Sequence, residues 1–457
     1  MTADEEEDWS TYSSAGYSEA YDPWADLVPV EEDEFVDDEF EFDEVDVIRP
    51  PPALEGFDYL VKTGTCDHCI ARLSGQSYSC ETASQIGGDL RKRSEERGAE
   101  RDADADCCPY CEDLFADLPN LIEELEENLD GLEFKRIQIG THFDKNHIIE
   151  EDSIRTMYGA QGSQGLKAAF NEAVSHALGK ALNECEVVKE RPEVMLLIDT
   201  LTLSASVEIR SLYLYGRYRK LERGIPQTRW PCRSCKGREG GCDECEGTGQ
   251  QYRVSVQDLV GEPLRAAFEA RETAFHGMGR EDIDVRCLGH GRPFVIEMKA
   301  PRRRYADLEE MTELVNATAQ GRVEIGPLRA SKRSEVGRIK DTPADKSYTI
   351  RFQTSEKVDA KEAEEKLTSL AGITLEQQTP QRVAHRRADK IRKRKVVSIS
   401  DVLVEDNEVQ MAVRVESGTY VKELIHSDEG RTKPSAAELL GCDCEVIWLD
   451  VEDVHAD

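Results

Sequence analysis

The chain has 457 residues, with 93 acidic against 58 basic side chains, a formal net charge of -35 and 39% hydrophobic residues. That length exceeds what a single core supports, so two or three domains are expected. The charge disfavours a nucleic-acid partner unless basic residues cluster locally, and its spread along the chain is the balance of a protein adapted to a salt-rich cytoplasm.

No apolar run approaches the roughly 20 residues that span a bilayer. The start, MTADEEEDWS, lacks the positive region and apolar stretch of a signal peptide, so a cytoplasmic protein is expected. Residues 1–55 are dense in acids and end in RPPPALEG, a composition that cannot offset its own ordering entropy, and a disordered tail is expected there. Residues 56–115 hold two C-x-x-C pairs, Cys66/Cys69 and Cys108/Cys111, separated by a charged helical stretch. In a reducing compartment such pairs indicate metal rather than disulfides, and four thiolates suit a tetrahedral, closed, structural Zn²⁺ site.

From 116 to 225 the pattern is mixed α/β. LPNLIEELEENLDGLEF has helical periodicity, FKRIQIGTHF alternates as a strand, and SQGLKAAFNEAVSHALGKAL is a long amphipathic helix. PEVMLLIDTLTLSASVEIRSLYLYGRYRK then supplies strands ending in a basic, tyrosine-rich patch with Arg217, Arg219 and Lys220. Positive charge interleaved with aromatic rings suits RNA, pairing phosphates and stacking bases. LERGIPQTRWP is expected to connect this module to the next.

The segment 226–457 opens on a glycine-rich cysteine insertion at 232–249, with Cys232, Cys235, Cys242 and Cys245 as a second candidate zinc set. A similar cysteine-rich region occurs in Hsp40-type chaperones, where it is repeated four times; here it occurs once. PCRSC also matches half of a zinc deaminase signature, but none of the nine histidines begins an H-x-E, which excludes that chemistry. GMGRED lacks the third glycine of a dinucleotide fingerprint, and no phosphate-cradling loop with lysine is present. A second basic run, QRVAHRRADKIRKRKV, includes Arg386 and Arg387 and is a further candidate RNA contact. Between them lies GMGREDIDVRCLGHGRPFVIE, where Arg280 and Arg286 flank Asp282. Flanking cations would keep that carboxylate ionised for chemistry; an ordinary turn-forming aspartate fits equally well.

The stretch GREDIDVRCLGHGRPFVIE, together with YGRYRKLERGIPQT, TPQRVAHRRAD and GTYVKELIHSDEGRTKP, resembles the archaeal and eukaryotic family of tRNA pseudouridine synthases that act on the T loop. The resemblance runs from about residue 56 to the end. It implies an α+β protein: a mixed-sheet catalytic domain preceded by an α/β THUMP-type RNA-binding domain and a zinc-knuckle module. It implies a cofactor-free isomerase acting on tRNA at positions 54 and 55 of the T loop, working as a monomer. By the same resemblance Asp282 falls on the nucleophile, with Asp284 in reserve, and Tyr348 on the ring that stacks against the target base. Tyr420 falls on a second substrate contact, and Lys422 stands where related enzymes have an arginine paired to the aspartate. A tRNA-binding protein that keeps these modules without catalysis is the alternative.

Overall fold

The computed structural model describes residues 52–102, 106–158, 163–182, 185–386 and 388–456. Of residues 1–55, where a disordered tail is expected, those up to 51 lie outside them, and Leu54 and Glu55 already belong to the first helix.

The N-terminal unit begins with α1 (Leu54–Lys62), α2 (Asp67–Leu73), α3 (Ala83–Glu95) and α4 (Leu118–Leu129). It continues with β1 (Arg136–His142), α5 (Lys145–Tyr158), α6 (Leu166–Ala181), β2 (Glu186–Val187), β3 (Val194–Asp199) and β4 (Ser204–Ile209). The strands form a sheet in the order β2-β1-β3-β4, parallel except for the β3/β4 pair. The cysteine module and this α/β unit are not separate globules. Ile70, Leu73, Cys108 and Cys111 share one apolar core with Leu125, Ile137, Phe170 and Ile198.

The C-terminal unit starts earlier than the sequence suggests. β5 (Leu212–Lys220) belongs to an 11-stranded sheet with β6 (Glu272–Gly277), β7 (Arg286–Lys299), β8 (Val323–Ile325), β9 (Arg329–Ser331), β10 (Asp345–Thr354), β11 (Thr374–Gln378), β12 (Ile391–Glu405), β13 (Glu408–Val415), β14 (Thr432–Lys433) and β15 (Cys444–His455). LERGIPQTRWP therefore joins two elements of the same unit, and the boundary falls near residue 211 rather than 225. Its helices are α7 (Val256–Ala267), α8 (Leu308–Ala319), α9 (Arg333–Asp341), α10 (Ala360–Thr368), α11 (Val421–His426) and α12 (Ala436–Leu440). α7 starts where it does because Ser255 and Asp258 form a reciprocal capping box.

Main-chain order in the large sheet is β14-β11-β12-β13-β10-β15-β7-β5-β8, with β6 on β7 and β9 on β5. Most neighbours are antiparallel; β15 and β7 run parallel, with Asp450 opposite Arg286. Two apolar cores flank this junction, one centred on Phe352, Met411 and Leu424, the other on Leu264, Phe268 and Phe294. Among the described residues no helix is long and apolar enough to cross a membrane.

Candidate active site

The β5 stretch LYLYGRYRK alternates outward and inward, with Leu214, Gly216, Tyr218 and Lys220 on the buried face. Period-two geometry therefore divides the basic patch in two. Lys220 is fully buried, so the expectation that it contacts RNA is corrected. Arg217 points outward, yet its guanidinium donates to the carbonyls of His290, Gly291, Val454 and Ala456 and fastens the C-terminal strand; its donors are engaged within the protein. Arg219 pairs with Glu324 at 2.5 Å on the surface. Arg387 and the side chain of Arg386 lie outside the described residues.

Asp282 sits in the loop that feeds β7, beside the parallel junction. Val285 donates its N–H to the Asp282 carbonyl at 3.1 Å, so Asp282 opens a tight turn. Its carboxylate is 45% exposed and faces two cations, Lys422 at 3.4 Å and Arg382 at 3.5 Å. The turn and the cation-flanked carboxylate are thus one arrangement. The partners differ from the expected pair: Arg280 lies over the Trp230 ring at 4.9 Å, and Arg286 is bound to the buried Asp450 at 2.7 Å. Asp450 also binds Arg223 and accepts the Arg286 N–H, which anchors the start of β7.

Lys422 lies in the first turn of α11 and also reaches Asp284 at 2.9 Å. Partial burial works against an ionised Asp284, but the Lys422 ammonium holds its carboxyl below the usual range. Arg382 comes from a short 3-10 helix, Gln381–Arg386, and is shared with Glu423, which is 1% exposed and 2.7 Å away. Arg382 lay within a stretch legible in the sequence, but only the fold shows that it reaches Asp282.

Tyr348 stands on β10 between Val413 and Val451. Burial pushes its phenol up to about 12, with Arg292 opposing this and the Asp282 and Glu281 charges adding to it; Lys346, two residues earlier and so on the same strand face, lies against Gly279 of the loop. Tyr420 precedes α11 and is held by Gln377, whose amide accepts the Tyr420 N–H and donates to its carbonyl, both at 2.9 Å. Arg392 lies 6.0 Å from the Tyr420 ring. Arg394, two residues on and so on the same strand face, packs against Gly418, whose φ of +82 and lack of a side chain allow the approach. Asp282, Tyr348, and the Tyr420/Lys422 pair at the start of α11 therefore converge from three chain segments onto one basic, aromatic-lined edge.

Both cysteine sets have the form of a thiolate cage. The ligand atoms of Cys66, Cys69, Cys108 and Cys111, and those of Cys232, Cys235, Cys242 and Cys245, each lie within 4.8 Å of one another. Sulfurs about 2.3 Å from a zinc ion are separated by about 3.8 Å; Cys232 and Cys242 are 3.8 Å apart, Cys235 and Cys245 3.8 Å, and Cys66 and Cys111 3.6 Å. N–H donors also point at the sulfurs: Arg72 Nε at Cys69 Sγ (3.3 Å), and the Cys242 and Gly249 amides at Cys245 Sγ (3.2 and 3.1 Å). The residues present fit zinc.

The fold and site define a two-unit α+β enzyme with a polar, aspartate-centred site on a mixed sheet and an α/β accessory unit. Residues 213–455 match the family model described as Pus10, C-terminal, and residues 121–199 match the Pus10 THUMP domain, archaeal. The chain is 38% identical over 410 residues to the tRNA pseudouridine synthase Pus10 of Halorubrum lacusprofundi, covering 86% of this chain and 95% of that protein. It is 38% identical to the Methanothrix thermoacetophila protein of the same name (85% and 91% covered) and 37% identical to that of Methanocaldococcus jannaschii (76% and 75%). Among solved structures, a chain of a Cbf5-Nop10-Gar1 complex is similar over 44% of this chain and 46% of its own at 19% identity, with a TM-score of 0.27, too slight to bear on the fold. The chain belongs to the Pus10 family and is an isomerase of the tRNA pseudouridine synthase class.

Proposed function

We propose that this enzyme converts uridine to pseudouridine at positions 54 and 55 of the tRNA T loop, with Asp282 as nucleophile. The observation that carries the reading is a half-exposed carboxylate held between Lys422 and Arg382 on a pinned loop beside Tyr348. The Asp282 carboxylate attacks either the ribose C1′ or the pyrimidine C6. The N1–C1′ bond breaks, the base turns, a C5–C1′ bond forms, and C5 releases a proton as N1 gains one. The uridine must leave its stack, at a cost of a few kcal/mol that aromatic stacking and phosphate contacts offset. Tyr348 stacks on the base, Tyr420 is a second contact, and Arg392, Arg394, the surface Arg219, and Arg386 and Arg387 of the basic run serve the phosphates.

No organic cofactor is required for this chemistry. Each cysteine set holds one structural Zn²⁺, whose four thiolates leave no position open to substrate. The protein acts as a cytoplasmic monomer in high salt, where phosphate contacts are weakened and shape and stacking carry more of the recognition. Incubating wild type with an unmodified tRNA transcript in high KCl and mapping pseudouridine at single-nucleotide resolution tests this. Product at 54, 55 or both within the T loop is expected; product confined to another loop would refute the assignment.

A further inference from the structure

The loop bearing Asp282 is gripped from within the protein by side chains that the reaction itself does not use. Five of its carbonyls each accept a side-chain donor: Met278 from Arg292 (2.8 Å), Gly279 from Gln227 (3.0 Å), Asp282 and Ile283 from Lys220 (3.1 and 3.2 Å), and Asp284 from Arg223 (2.7 Å). Lys220 differs from the others in how completely it is spent. Its ammonium has three protons and three carbonyl acceptors, the third being Ile225 at 2.8 Å. It is fully buried, and its nearest carboxylate, Glu281, is 3.9 Å away and already engaged by Arg292 and Tyr218. The Asp282 carbonyl also accepts the Val285 N–H, and the Ile283 carbonyl the Gly224 N–H. The ammonium therefore fills the second acceptor position on the main chain of the aspartate and of its neighbour.

A buried ammonium is costly, and an apolar side chain of similar volume would fill this space at lower cost. What an apolar residue could not do is tie two successive carbonyls of a tight turn to one rigid point on β5. We infer that Lys220 is a positioning residue for the isomerisation: through the Asp282 and Ile283 carbonyls it fixes the turn so that the Asp282 carboxylate meets its carbon at attacking distance. Its positive charge lies beneath a turn that carries two aspartates. This inference rests on the assignment of Asp282 as nucleophile.

The test uses the full-length protein in high KCl with an unmodified tRNA transcript, comparing Lys220→Met, Lys220→Gln and Asp282→Ala. Folded fraction is measured by circular dichroism, tRNA affinity by filter binding, and kcat and KM per folded enzyme. Misplacement of a reacting group by about 1 Å costs on the order of 100-fold in rate. Lys220→Met should lose about that factor in kcat with KM and tRNA affinity unchanged, which marks an interaction serving the transition state rather than binding. Lys220→Gln, which retains donors without charge, should fall between it and wild type. A kcat per folded enzyme equal to wild type in Lys220→Met overturns the inference. If Lys220→Met does not fold, Lys220→Gln decides alone, and a wild-type kcat there overturns it equally. Full activity in Asp282→Ala would instead remove the nucleophile assignment beneath it.

Discussion

Arg382 offers a perturbation in which stability and chemistry come apart. Its guanidinium donates to both oxygens of Glu423, at 2.7 and 3.4 Å, and the Glu423 side chain is 1% exposed. Arg382→Met leaves that carboxylate buried without its partner. Stripping one member from a fully buried pair costs about 3–5 kcal/mol, but Arg382 is 40% exposed and water screens the interaction, so about 1–3 kcal/mol is expected. The same change removes one of the two cations beside Asp282, at 3.5 Å. Coulomb attraction at that distance ranges from about 1 kcal/mol in water to about 5 kcal/mol at an effective dielectric of 20. With Asp282 45% exposed, the lower end applies, and a rate loss of about ten-fold follows. Adding Glu423→Gln to Arg382→Met neutralises the stranded carboxylate, so it should restore stability without restoring rate. Urea unfolding in high KCl, run beside single-turnover pseudouridine formation on the same samples, separates the two. A double variant that recovers rate along with stability, or an Arg382→Met enzyme of wild-type rate, would refute the reasoning.

Three further outcomes are expected. Metal analysis of purified protein should find two zinc ions per chain, and Cys66→Ser with Cys69→Ser should unfold the N-terminal unit, because Cys69, Cys108 and Cys111 lie in its shared core; full retention of that unit's thermal transition would contradict this. Lys346 lies near Gly279, and burial with the Arg292 charge lowers its ammonium to about 8. Below pH 8 it is charged in both folded and unfolded states and the fold bears the whole burial penalty; between about 8 and the unfolded value of about 10.4 the unfolded chain binds more protons, and stability rises with pH. Lys346→Met should therefore raise the thermal midpoint most at pH 7 and least above about 10.4, and a pH-independent difference would count against the burial argument. Arg392→Ala and Arg394→Ala should each weaken tRNA binding and reduce the slope of log affinity against log salt by about 0.7–0.9 if each neutralises one phosphate; unchanged slopes would remove them from the RNA path.

Much of this architecture was legible in residue pattern. The amphipathic α6, the alternating β1, and both cysteine clusters lie where periodicity and spacing put them. The basic patch at 213–220 is continuous only along the chain, because a strand sends successive side chains to opposite faces: Lys220 goes into the core and Arg217 to main-chain carbonyls. The domain boundary was displaced for a related reason. β5 follows β4 after two residues, and only its pairing with β7, some 70 residues later, assigns it to the catalytic sheet. For Asp282 the nearest cations in sequence, Arg280 and Arg286, are not the nearest in space. Arg382 and Lys422 are respectively 100 and 140 residues away in the chain, and the sheet order brings both to the turn.

The measurement that bears most directly on the account compares wild type, Asp282→Ala and Asp284→Ala for position-resolved pseudouridine on an unmodified tRNA transcript in high KCl, with tRNA binding measured in parallel. The account predicts that Asp282→Ala binds tRNA and forms no pseudouridine, while Asp284→Ala retains appreciable turnover. Product from Asp282→Ala at the wild-type rate, or its loss only in Asp284→Ala, would contradict it.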